Sequence, residues 1–95
     1  MQIRDRITDF RRVPASELIP NALNWRRHPQ SQSDALKGVL DEIGFADAVI
    51  ARQTPDGLEL IDGHLRADVM GDDPVPVLIV DLTDEESLQL LLTLD

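Results

Sequence analysis

The sequence predicts one small α/β domain, a mixed β-sheet flanked by helices, and three segments predict it. Residues 33–44 repeat apolar side chains at three-and-four spacing, residues 48–61 hold two short apolar runs around Thr54-Pro55-Asp56-Gly57, and residues 75–80 are the most β-rich run present. A helix, a hairpin and a further strand bury their apolar faces together only as a sheet covered by helices.

Taken in order, residues 1–9 are polar without a period and read as a loose lead-in, and Phe10 to Val13 reads as a short strand that Pro14 ends or confines to an edge. Ser16 to Pro20 reads as a single turn, and Asn21 to Pro29 as an irregular loop carrying Asn24, Trp25, Arg26, Arg27 and His28. Ala35, Leu36, Val39, Leu40 and Ile43 then mark the clearest helix, with Ser33 placed to cap its start and Gly44 its end. Strands at Ala48–Ala51 and Leu58–Ile61 flank hairpin-turn chemistry, which predicts antiparallel neighbours.

Asp62 to Met70 reads as a short helix stopped by Gly71-Asp72-Asp73-Pro74, followed by a strand whose consecutive Val77, Leu78, Ile79 and Val80 predict burial on both faces. Strand 58–61, helix 62–70 and strand 75–80 make a compact β-α-β element, near the lower length limit for a parallel crossover. Thr83 and Glu86 form a capping box for a last helix over 83–94. There Leu88, Leu91 and Leu92 share a face, while Leu90 and Leu94 widen the apolar arc past half the circumference. That arc predicts a homodimer, docking on a partner, or further chain beyond Asp95, unless the helix lies wholly within a core.

Ninety-five residues, 42% of them hydrophobic, suit a single domain over 1–95, with aromatics confined to Phe10, Trp25 and Phe45. The absence of cysteine removes disulfides, thiolate zinc sites and cysteine nucleophiles. No signal-peptide pattern and no run near the ~20 apolar residues of a membrane span is present, so a cytoplasmic protein without membrane contact is expected. The net charge of −9 divides into +3 over residues 1–37 and −12 over residues 38–95. An acidic chain is a poor duplex binder, because affinity for DNA draws on a cationic footprint. Any nucleic acid would meet the N-terminal arginines Arg4, Arg6, Arg11, Arg12, Arg26 and Arg27, although the asymmetry also suits an ordinary solvated surface.

The chemistry concentrates at Asp62-Gly63-His64-Leu65-Arg66. A strand that passes into a helix through glycine presents backbone N–H groups to an anion; Gly63 permits close approach, Arg66 offers a forked donor one turn in, and His64 can donate, shuttle a proton or ligate a metal. Asp62 reads either as the N-cap or as the holder of a divalent cation that itself holds a phosphate. Asp62 and His64 are therefore also the catalytic candidates of a metal-dependent nuclease or phosphotransferase.

From about Arg12 to Leu94 the order of segments resembles the N-terminal domain of the ParB/sulfiredoxin superfamily, the ParB-like nuclease domain. The resemblance rests on Val13-Pro14, Leu18-Ile19-Pro20-Asn21, Glu42-Ile43-Gly44-Phe45, Leu60-Ile61-Asp62-Gly63-His64-Leu65-Arg66-Ala67, Val75-Pro76-Val77 and Val80-Asp81-Leu82. It implies a ParB/sulfiredoxin-like fold and a site for a nucleoside triphosphate, CTP or ATP with Mg2+, at Gly63, His64 and Arg66, with Gly44, Phe45 and Ala48 lining the same pocket. ParB carries Gly-Glu-Arg-Arg where this chain has Gly63-His64-Leu65-Arg66. Sulfiredoxins carry a catalytic cysteine at His64, so their reductase chemistry is excluded. The Asp-Gly-His spelling, with Asn24-Trp25-Arg26-Arg27-His28-Pro29, looks closest to ParB-like domains found beside DNA methyltransferases and in phage or plasmid genes. The implied role is a nucleotide- or phosphate-binding module of a DNA-processing or DNA-partitioning protein that meets DNA through other domains or partners, with Asn24, Arg26 and Arg27 as possible nucleic-acid contacts. A ligand-free interaction module built on helix 83–94 is the alternative outside nucleotide chemistry.

Overall fold

A computed structural model describes residues 1–24 and 27–94. Trp25, and Arg26 with its expected nucleic-acid contact, fall outside the described residues.

Four strands, β1 (Ile7–Pro14), β2 (Val49–Thr54), β3 (Gly57–Asp62) and β4 (Pro74–Val80), form one sheet in the order β1-β4-β2-β3. The helices are α1 (Gln30–Glu42), α2 (His64–Met70) and α3 (Asp84–Leu94), with a 3₁₀ turn at Ala15–Glu17. β2 and β3 form the expected hairpin, with Thr54 opposite Gly57 and Ala51 opposite Leu60. The β-α-β expectation is corrected. β2 lies between β3 and β4, pairing parallel with β4 and antiparallel with β3, so β3-α2-β4 is not a parallel crossover. The short α2 connection suits this arrangement, since a parallel pair needs a longer crossover.

β1 starts at Ile7, inside the expected lead-in, and pairs antiparallel with β4. Three carboxylates order this end of the chain. Asp5 Oδ1 accepts from Ile7 N–H at 2.9 Å, and Asp9 Oδ1 accepts from Phe10 N–H at 2.8 Å. Glu86 takes both terminal nitrogens of Arg6 at 2.9 Å, while Arg6 also reaches the Asp81 carbonyl. The Thr83–Glu86 capping box forms in both directions, Glu86 N–H to Thr83 Oγ1 at 3.2 Å and Thr83 N–H to Glu86 Oε1 at 2.9 Å. The Arg6 hydrogen bond, helped by Thr83, holds the Glu86 carboxyl at a pKa of about 2.

Val75, Val77 and Ile79 of β4 join Val49, Ala51 and Leu60 in the core under α2 and the 3₁₀ turn. Pro76, Leu78 and Val80 on the other face are only half-buried, so β4 is not buried on both faces as its consecutive apolar residues suggest. β1, next to it, is exposed over six of its eight residues, which leaves that side of the sheet thinly covered. α3 packs against β3 with Ser87 and Leu91 inward, but Leu88, Leu92 and Leu94 stay exposed. α1 begins at Gln30 after Pro29 rather than at Ser33, and it buries none of its residues; Val39 and Ile43 are 50% and 72% exposed. Gly44, with φ +94°, ends it as expected. No described helix is long and apolar enough to cross a membrane.

Candidate nucleotide site

β3 ends at Asp62, and Gly63 at φ +100°, ψ 26° turns the chain into α2. Asp62 is therefore not the N-cap: Gly63 occupies that position and no side chain caps the helix. Glycine is required here twice over. The dihedral lies in the left-handed region, and a Cβ would sit 2.6 Å from Val49 Cγ1 and 3.0 Å from Arg66 Nη2.

His64, the first residue of α2, accepts a hydrogen bond from Asn21 N–H at Nε2, 3.1 Å away. A backbone N–H can only donate, so Nε2 carries the lone pair and the neutral ring carries its proton on Nδ1. Nε2 can ligate a metal or take a proton only by releasing Asn21. Arg66 turns back toward the α1–β2 connection. Its Nη1 lies 3.4 Å from Asp47 Oδ2, its Nη2 lies 3.8 Å from Asp62 Oδ2, and Nη2 donates to the Ala48 carbonyl at 3.4 Å. Its Nε is buried with no hydrogen-bond partner among the described residues.

Two cavities flank α2. The larger, about 700 Å³, runs along the helix from His64 to Gly71 and Asp72, and Asn24, Arg27 and His28 of the loop line it. Leu18, Leu60, Leu65 and Ala67 give it an apolar wall, and Asp68 adds a carboxylate. The smaller, about 440 Å³, lies between α1 and α2 and meets Asp62, Gly63, Arg66 and the α1 residues Leu36 and Val39. His28 lines both.

The structure thus brings His64 together with Asn24 and Arg27, and Gly63 together with Arg66 and Asp62. Gly44, Phe45 and Ala48 line neither cavity: Phe45 packs on the core and Ala48 meets Arg66 through its carbonyl. Sequence reasoning missed Asn21, His28 as a wall of both cavities, and Asp47 as an Arg66 partner. Asn next to proline in a loop signals a turn, but nothing local announces its long-range bond to His64. No group of three His, Asp or Glu suited to a metal occurs among the described residues. A divalent ion at Asp62 would complete its shell with ligand oxygens and water, as Mg2+ commonly does.

No family model matches the chain. The chromosome-partitioning protein Spo0J of Thermus thermophilus is 34% identical over 87 residues, a match covering 85% of this chain and 32% of Spo0J. The chain spans about a third of that relative's length. Among solved structures, C-terminally truncated chromosome-partitioning protein ParB from Caulobacter crescentus, complexed with CTP-γ-S, superposes with a TM-score of 0.77 at 21% identity, over 90% of this chain and 51% of that one. Sulfiredoxin from Arabidopsis thaliana superposes with a TM-score of 0.70 at 16% identity, over 90% of this chain and 98% of that one. With a four-stranded mixed sheet, three helices and a glycine turn from β3 into α2, this chain has the ParB/sulfiredoxin fold.

Proposed function

We propose that this chain is a ParB-like module that binds a nucleoside triphosphate or similar phosphate ligand within a DNA-processing or DNA-partitioning protein, of the methyltransferase-associated or phage and plasmid type. One observation carries the reading: the loop with Asn24, Arg27 and His28 and the box with His64 face one cavity of about 700 Å³. That volume lies within the usual range for a small-ligand site. The cationic loop residues suit phosphate, the apolar wall suits a base, and Asp68 and Asp72 suit sugar or amino donors. The CTP-γ-S held by the Caulobacter ParB and the partitioning role of Spo0J support the assignment.

Titration with CTP, ATP and GTP, each with and without Mg2+, tests it by amide chemical shifts. Changes centred on Asn24, Arg27, His28 and His64, with Gly63 and Arg66 of the adjoining cavity that His28 also lines, are expected. A flat response to all three nucleotides refutes the reading. A metal-dependent nuclease or phosphotransferase would need His64 to handle protons, and the engagement of Nε2 by Asn21 argues against that role.

A second role is favoured by α3, where Leu88, Leu92 and Leu94 are 39%, 57% and 47% exposed. This face serves self-association or docking on a partner. Sedimentation of the protein beside Leu92→Glu is expected to show a dimer that the substitution dissociates; a monomer in both removes self-association.

A further inference from the structure

We propose that His64 is a positioning residue: it fixes the loop that carries Arg27 and His28 over the larger cavity, and it does so as a hydrogen-bond acceptor rather than as an acid, base or metal ligand. The inference deepens the nucleotide-site reading above and rests on it for its functional part.

Asn21 is the hub of the loop. Its side-chain oxygen accepts from Leu23 N–H at 2.9 Å, and its carbonyl accepts from Asn24 N–H at 3.0 Å, so residues 21–24 close into a tight turn. Asn21 is 9% exposed, and its own N–H points away from that turn to His64 Nε2. A buried N–H needs an acceptor, and the imidazole supplies it across 43 residues of sequence. On the upstream side the chain is already fastened to β3, where Ile19 N–H donates to the Leu58 carbonyl at 2.8 Å and Leu60 N–H donates to the Ile19 carbonyl at 2.8 Å. Downstream, Pro29 leads into α1. Between these fixed points, among the described residues, the His64 bond ties the turn that precedes the cavity-lining Asn24, Arg27 and His28 to a distant part of the chain.

The same geometry separates two roles that a histidine in such a box would otherwise combine. A ring whose Nε2 is held by a backbone donor orients the loop whether or not a ligand is present. Glutamine places an amide oxygen near the position of Nε2 but neither titrates nor behaves as an imidazole ligand. His64→Gln therefore preserves the positioning role and removes the chemical one.

The test compares the native chain with His64→Ala and His64→Gln, using amide exchange at Asn21 and Asn24, fluorescence of the single tryptophan, Trp25, which lies in the same loop sequence, and CTP and ATP binding. His64→Ala is expected to speed exchange at Asn21 by about tenfold or more, as expected for loss of a buried amide's acceptor. Exchange at Val49 and Val77 in the core should stay unchanged, which separates loop release from global unfolding. His64→Gln is expected to restore Asn21 protection, the Trp25 signal and nucleotide affinity together. Two results overturn the proposal: Asn21 exchange unaltered in His64→Ala, or Asn21 protection restored in His64→Gln while nucleotide affinity stays lost. The second would make His64 a direct ligand contact. If the native chain binds neither nucleotide, the nucleotide reading fails, while the exchange data at Asn21 still decide whether His64 anchors the loop.

Discussion

Gly63→Ala tests whether the turn from β3 into α2 is as tight as its geometry requires. The new Cβ would meet Val49 Cγ1 at 2.6 Å, Val49 Cβ at 2.9 Å and Arg66 Nη2 at 3.0 Å, on a backbone at φ +100°. Gly44 is the internal control, because its φ of +94° is nearly the same and nothing among the described residues lies within 4 Å of its would-be Cβ. A non-glycine residue in such a sparse backbone region costs about 1–3 kcal/mol. Both alanines incur that cost. Gly63→Ala adds overpacking against Val49, which is fully buried and cannot retreat, and this costs about another 1–3 kcal/mol.

The expected losses are therefore roughly 1–3 kcal/mol for Gly44→Ala and 2–6 kcal/mol for Gly63→Ala. Against a typical domain stability of about 5–15 kcal/mol, the second is readily measured by urea unfolding as a lower midpoint at unchanged slope. Val49→Ala removes the 2.6 Å contact and leaves the 2.9 Å one, so the double variant should be more stable than the sum of the two single losses predicts, by about 1 kcal/mol. Equal losses at Gly44 and Gly63, or strict additivity with Val49→Ala, would refute the steric argument.

Two further outcomes follow from the carboxylates that order the N-terminal segment. The Glu86 pKa is lowered in the fold from 4.5 to about 2, so the stability it contributes is full above pH 4.5 and is lost as pH falls toward and through 2. In acid unfolding, the stability gap between the native chain and Glu86→Gln should narrow across that window; a constant gap would remove the Arg6 pairing as its cause. Asp9→Ala frees the Phe10 N–H that Asp9 now meets, on a strand at the sheet edge. Stability should change by less than about 0.5 kcal/mol while concentration-dependent association rises, as expected for an unguarded edge; light scattering checks it, and no rise would sink the role.

The elements were legible in the sequence where local chemistry decides them. Thr54 to Gly57 specifies its hairpin, Thr83 and Glu86 specify the start of α3, and Gly44 specifies the end of α1, because each is settled within a few residues. Strand order was not legible, since the insertion of β2 between β3 and β4 depends on pairing across the whole sheet. The apolar run of β4 misled for the same reason: its second face, with Pro76, Leu78 and Val80, is only half covered. At the site, the box was visible as Gly63, His64 and Arg66, but what each touches was not. The Asn21–His64 bond and the Asp47–Arg66 pair join segments 43 and 19 residues apart, and neither leaves a local pattern.

Arg66 raises the sharpest electrostatic question, because a guanidinium facing two carboxylates looks spent. The distances decide otherwise. At 3.4 Å and 3.8 Å neither pairing has the short geometry of a charge-assisted hydrogen bond, and the Asp47 side chain is 60% exposed. An exposed pair of this kind is worth about 0–1 kcal/mol. A phosphate offers more charge and more acceptor atoms than Asp47, and the buried Nε of Arg66 still lacks a partner among the described residues. Exchanging Asp47 for a phosphate oxygen is therefore inexpensive, and Asp62, at 27% exposure against 60%, is the less accessible of the two carboxylates. An anion drawn to Arg66 through the smaller cavity, which His28 also lines, should accordingly displace Asp47 and leave Asp62 in place beside Arg66.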